Sequence, residues 1–246
     1  MQTALITGAS GGVATALAER LRARGWRLAL VTRDAGRVQG QAGDLVIEAD
    51  VGTEQGAESA MAQACEAFGA PPAAVAHCAG AVLVAPLART SEAQYRQCLS
   101  ANLDSAFFIA KAYAPRVQKA GQGGSLLLFS SVAAGIGVAN HAAIAIAKGG
   151  VEGLVRALAA DFSASGLRVN AIAPGLMHTP ATARMLSSEA SAKAIRAQYP
   201  LGRHGEAEDA AALGSFLLSE EAGWVTGQVI ALDGGFQAVR PLVRGA

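Results

Sequence analysis

Three groups of residues in this chain have types and spacings suited to chemistry. The first is a glycine-rich turn, Thr7-Gly8-Ala9-Ser10-Gly11-Gly12-Val13-Ala14, between an apolar run and a helical pattern. Glycines there let the backbone turn tightly and approach a pyrophosphate, whose charge is favoured at a helix N-terminus. Gly8, Ser10, Gly12 and Val13 are the residues expected to hold it. The second group ends the next apolar run, Val31-Thr32-Arg33-Asp34. An NAD-selective site needs a carboxylate at such a strand end; here Thr32 and Arg33 stand instead, and an arginine fork suits a 2′-phosphate. Asp34 is expected to cap the following helix. The third group is scattered: Ser131, His141, Lys148 and His178. A histidine titrates near neutrality and can pass a proton. Four residues before Lys148 stands Ile144, whose side chain has no ionisable group.

These residues must be held by a scaffold, and the apolar pattern says which kind. Short continuous apolar runs recur at residues 4–6, 28–31, 45–47, 73–76, 126–129, 169–172 and 229–232. Continuous runs fit strands buried on both faces. Helical patterns lie between them, such as Val13, Leu17 and Leu21, spaced by four and closed by Gly25. Strand–helix alternation argues for a parallel sheet with helices on both faces. Gly121-Gln122-Gly123-Gly124 reads as a helix–strand turn rather than a boundary, so residues 1–246 are expected to form one domain. Residues 176–200 form a long connection carrying Leu176, Met177, Met185, Leu186 and Ile195, which suits a lid over an apolar ligand.

The motifs, taken in order, make the chain resemble the short-chain dehydrogenase/reductase family. Thr7, Gly8 and Gly12 match its Thr-Gly-x-x-x-Gly-x-Gly fingerprint, with Ala14 in place of the last glycine. Asp50-Val51 follows the third strand, where the family places a pair beside adenine. His77-Cys78-Ala79-Gly80 stands where it usually reads Asn-Asn-Ala-Gly. Asn102 matches a helix asparagine that helps hold a proton-relay water, and Ser131 falls at the catalytic serine. Pro174-Gly175-Leu176-Met177-His178-Thr179 matches a motif on the nicotinamide side of the cofactor. The stretch from Pro200-Leu201-Gly202-Arg203 through Thr226-Gly227 to Asp233-Gly234-Gly235 looks like the 3-oxoacyl reductase branch.

The resemblance implies a Rossmann-type doubly wound parallel sheet of about seven strands. It implies a nicotinamide dinucleotide held by Gly8, Ser10, Gly12, Val13, Arg33, Asp50, Val51, Ala79, Gly80, Lys148, Pro174, Gly175 and Thr179, with NADP(H) favoured over NAD(H) by Arg33. The expected catalytic set is Ser131, Lys148, Asn102 and His141. Ile144 falls where the family has its proton-transferring tyrosine, so His141, seven residues before Lys148, is a candidate replacement. His77 is expected to be a satisfied strand-end histidine. Two functions remain open. One is a working NADP(H)-dependent oxidoreductase with a displaced acid, acting on a small apolar or acyl-like substrate. The other is an inactive subunit supporting a related active one. A carrier-protein substrate is disfavoured, because Gln122 and Ser165 stand near the places where such reductases carry arginines.

Composition narrows the partners. The chain has 246 residues, 52% hydrophobic and 16% charged, with net charge +1. No basic face for nucleic acid and no membrane-spanning run is evident. Cys65, Cys78 and Cys98 lack metal-ligand spacing, and no metal is expected. A reduced cytoplasmic setting is the simplest expectation. The family resemblance implies an oligomer, either a homotetramer or a heteromer with a related subunit. Small residues at Ala101, Ala106, Ala110, Ala157 and Ala159, and the apolar segment 236–246, are expected to serve its interfaces.

Overall fold

Every apolar run becomes a strand. In the computed structural model, which describes residues 2–240, the chain runs β1 (Thr3–Thr7), α1 (Gly12–Ala23), β2 (Arg27–Thr32), β3 (Leu45–Glu48), α2 (Glu54–Phe68) and β4 (Ala74–His77). It continues through α3 (Glu92–Leu99), α4 (Ser105–Ala120), β5 (Gly124–Phe129), α5 (Val132–Gly135), α6 (Ala142–Phe162) and β6 (Leu167–Pro174). It closes with β7 (Met177–His178), α7 (Glu189–Arg196), β8 (Gly205–Glu206), α8 (Ala207–Leu218) and β9 (Val229–Leu232). Seven strands form one parallel sheet in the order β3-β2-β1-β4-β5-β6-β9. β7 and β8 make a separate two-stranded ladder.

The runs are continuous because both faces of the sheet are covered. Successive strand residues point to opposite faces. Leu5 packs with Met61 of α2, Ile109 of α4 and Val155 of α6. Its neighbours Ala4 and Ile6 pack on the other side with Leu17 and Leu21 of α1 and Leu218 of α8. Ala106, Ala110 and Ala159 belong to the first of these layers. This corrects the interface expectation for them: their small side chains bring helices close to the chain's own sheet. Ala157 stays exposed. Residues 241–246 of the expected second interface segment lie outside the described residues. Asp34 does cap, accepting from Gly36 N at 3.0 Å, but the element it starts is only a three-residue 3-10 turn.

The strand order reverses between β1 and β4, and ligands of such sheets bind beyond the strand ends at that point. The ends of β1 and β4 crowd together there. Gly8 has φ +64°, and an added Cβ would lie 2.7 Å from the Ala79 backbone. Only glycine satisfies both the left-handed conformation and this approach.

His77, at the end of β4, is buried between Thr7 Oγ1 at 2.9 Å and Ser105 Oγ at 3.0 Å. It is the satisfied histidine the sequence suggested. Burial, helped by the Lys148 charge, pushes its pKa down to about 3. The unfolded chain therefore takes up a proton near pH 6.5 that the folded chain refuses until about pH 3. Stability from this residue is complete above pH 6.5 and falls by up to about 1.4 kcal/mol per unit below it. Urea midpoints should drop more steeply between pH 7 and pH 5 for the wild type than for His77→Asn. Parallel curves would refute it.

Candidate active site

A cavity of about 410 Å³ opens at the C-terminal ends of the sheet, beside the switch point. Ser131, His141, Lys148 and Asn102 all line it, although 46 residues separate the first from the last in sequence order. Ile144, Val13, Ala79, Gly80, Pro174, Gly175 and Thr179 line it too. Gly8, Ser10 and Gly12 lie in the adjoining turn between β1 and α1. Arg33, Asp50 and Val51 lie further out, after β2 and β3.

Each polar side chain is fixed by its local backbone. Ser131 is the N-cap of α5 and accepts from Ala133 N at 3.2 Å. Its own O–H hydrogen stays available. The neighbouring Ser130 spends its hydrogen on Glu152 Oε1 at 2.7 Å, so the two serines are not equivalent. Asn102 sits in a π-turn, Ser100–Asp104, between α3 and α4. Such π-bulges recur at functional sites. Its Nδ2 donates to Ala81 O at 3.0 Å and Cys98 O at 2.9 Å, while Oδ1 accepts from Ala81 N at 3.3 Å. The asparagine thus ties the helix to the loop after β4.

Lys148 lies on α6, 9% exposed, and donates from Nζ to Phe129 O at 2.8 Å. An added Cβ at Gly80 would stand 2.9 Å from Asn102 Oδ1 and 3.6 Å from Lys148 Nζ, so that glycine keeps the space between them open. Burial pushes the Lys148 ammonium down to about 8. Ile144 precedes it by one turn, buried with Cys98, Ala133, Ala143 and Ala147.

His141 is the N-cap residue of α6. Asn140 before it adopts φ 64°, which asparagine tolerates, and this turns the chain into the helix. His141 Nδ1 lies 2.7 Å from Ala139 O. A carbonyl only accepts, so Nδ1 carries the hydrogen and the neutral ring keeps its lone pair on Nε2. His178 is not in the cavity. It faces outward on β7, 3.3 Å from Glu206 Oε2 on β8.

Part of the long connection borders the cavity. Leu176, Met177, Met185 and Ile195 line it, and Leu186 does not. Gly12 lies close beneath the same segment, where an added Cβ would meet Thr179 and Pro180 at 3.3 Å. The sequence reading missed Tyr199. It is the one tyrosine lining the cavity, its hydroxyl accepts from Leu176 N at 2.7 Å, and its ring lies 5.3 Å from Phe236. Its place beside Pro200-Leu201-Gly202-Arg203 was the only sequence signal. Among the described residues no group of acidic, histidine or cysteine side chains is arranged to hold a metal, and no helix is long and apolar enough to cross a membrane.

A family model described as Enoyl-(Acyl carrier protein) reductase matches residues 8–237. A 2,5-dichloro-2,5-cyclohexadiene-1,4-diol dehydrogenase of Sphingobium indicum is 32% identical over 97% of this chain and 98% of its own. A structure of a short-chain type dehydrogenase/reductase from Mycobacterium ulcerans superposes with TM-score 0.90 at 29% identity, covering 97% of this chain and 90% of that one. The chain belongs to the short-chain dehydrogenase/reductase family. Another relative is the (3R)-3-hydroxyacyl-CoA dehydrogenase of Rattus norvegicus, 31% identical over 94% of this chain and 95% of that protein.

Members of this family use nicotinamide dinucleotides, and the residues here fit one. Gly8 lets the turn after β1 close against the Ala79 backbone, where a Cβ would stand 2.7 Å away. Helix α1 starts at Gly12 without a side-chain cap, leaving its first N–H groups for an anion. Arg33 is exposed on a turn pinned by Glu48, whose Oε2 accepts from Ala35 N at 3.1 Å.

Proposed function

We propose that this chain is an NADP(H)-dependent oxidoreductase for small apolar carbonyl or hydroxyl compounds, with His141 as its proton-transfer group. The observation that carries the reading is the shared cavity, in which Ser131, Asn102, Lys148 and His141 meet Gly80, Pro174 and Gly175. A bound nicotinamide would supply or accept the hydride. The glycine turn would hold the pyrophosphate, Arg33 the 2′-phosphate and Lys148 the nicotinamide ribose. Ser131 would donate its free O–H to the substrate oxygen. His141 would take the alcohol proton at Nε2 during oxidation and return it during reduction. The apolar walls from Leu176, Met177, Met185 and Ile195 would exclude water. The dichlorocyclohexadienediol and hydroxyacyl-CoA dehydrogenases among the relatives support a cyclic or acyl-like substrate, in keeping with a place near the 3-oxoacyl reductase branch.

The direct test is NADPH oxidation with a panel of cyclic ketones and 3-oxoacyl thioesters. Turnover of none of them, with NADPH bound, would favour the second reading: a subunit that keeps fold and cofactor but leaves catalysis to a related chain. Ile144 is the observation behind that alternative, since it puts an apolar side chain one turn before Lys148. Cofactor choice is tested separately. Arg33→Ala should weaken NADPH by roughly 1–3 kcal/mol, the worth of a charged hydrogen bond, and leave NADH unchanged. Calorimetric titration of both cofactors checks this; equal affinities in the wild type would sink it.

A further inference from the structure

We propose that Lys148 is a covalent capture site for small apolar aldehydes, through reversible imine formation at Nζ. Four observations converge on it. The amine is nine-tenths buried yet lines the cavity. Its one partner is a backbone carbonyl, Phe129 O; among the described residues no carboxylate pairs with it. Gly80 has no side chain to screen it, since a Cβ there would already stand 3.6 Å from Nζ. Ile144, Val132, Ala133 and Val138 give the surrounding wall an apolar surface.

The electrostatics agree with this geometry. A buried ammonium with no counter-charge favours its neutral form, and Lys148 is pushed down to about 8. The thiols beside it supply no negative charge. Burial pushes Cys78 up to about 12 and raises Cys98 as well. The amine therefore keeps a usable lone pair near neutral pH, the condition for a nucleophilic lysine.

The step balances without a redox partner. The Nζ lone pair adds to the aldehyde carbon, and the carbonyl oxygen takes a proton from nitrogen to give a carbinolamine. The hydroxyl then leaves as water with the second nitrogen proton, and the C=N bond forms. Ser131 and His141 line the same cavity. A ketone is more crowded at carbon, so aldehydes are preferred. The proposal stands apart from the dinucleotide reading, because it needs only the apo cavity.

The probe is benzaldehyde with sodium cyanoborohydride, which traps imines as benzylamines, applied to the full chain at pH 7.5 and read by peptide mapping. The chain has four lysines, and Lys111, Lys119 and Lys193 are exposed. An amine with a pKa near 8 has roughly 10²-fold more neutral form at that pH than an ordinary lysine. Limited access through the cavity reduces the gain, so benzylation of Lys148 should exceed each exposed lysine by at least about 10-fold. Label on the terminal amine is resolved by the same map. Lys148→Met should remove the fast adduct, and circular dichroism confirms its fold. Equal or slower labelling of Lys148 in the wild type overturns the proposal, whatever the variant does. Repeating the trap with saturating NADPH tests the cofactor reading alone. Protection supports it, and unprotected labelling counts against it while leaving the capture site standing.

Discussion

Ile144→Tyr is expected to raise carbonyl reduction by up to about 10²–10⁴, the usual contribution of a positioned general acid. Residues four apart share a helix face, so the new phenol would stand one turn before Lys148. Ile144 already lines the cavity, and 410 Å³ of open space gives an aromatic ring room on that side. The Lys148 cation would stabilise the phenolate, and Ser131 would hold the substrate oxygen alongside. Rates with NADPH and a cyclic ketone panel, wild type against variant, measure the gain. A variant that binds NADPH with wild-type affinity yet shows no gain would mean that the cavity has drifted beyond its acid. With a wild type that is itself inactive, the supporting-subunit reading would then stand.

His141→Ala is the complementary loss. If the imidazole carries the proton, kcat should fall by about 10²–10⁴ with little change in KM, because the ring acts in the transition state rather than in binding. The anchoring of Nδ1 by Ala139 O gives the ring a single orientation, so truncation removes one defined group. Unchanged kcat in His141→Ala would exclude it and direct attention to Tyr199, the phenol that lines the same cavity.

Much of the scaffold was legible in the residue order. A parallel strand buried on both faces has to be apolar at every position, and residues 4–6, 28–31 and 126–129 are. The glycine turn was legible because Gly8 must take a positive φ against Ala79, a constraint no other residue type meets. The fate of the alanines on α4 and α6 was not legible. A small residue permits close approach by any neighbour, and only the packed sheet shows that Ala106, Ala110 and Ala159 use it inward.

The site divides along the same line. The sequence by itself determined the residue types: a serine, a lysine, an asparagine and two glycine motifs in family order, with Ile144 where a phenol was expected. It could do so because covalent order and local conformation carry those signals. Tertiary structure alone decided that His141, the favoured candidate, lines the cavity while His178 faces outward on β7. It alone separated Ser131 from Ser130, whose hydrogen goes to Glu152. It brought Tyr199 to the cavity and left Lys148 buried without a counter-charge. Each of these depends on contacts between segments tens of residues apart, and on desolvation that no local pattern encodes.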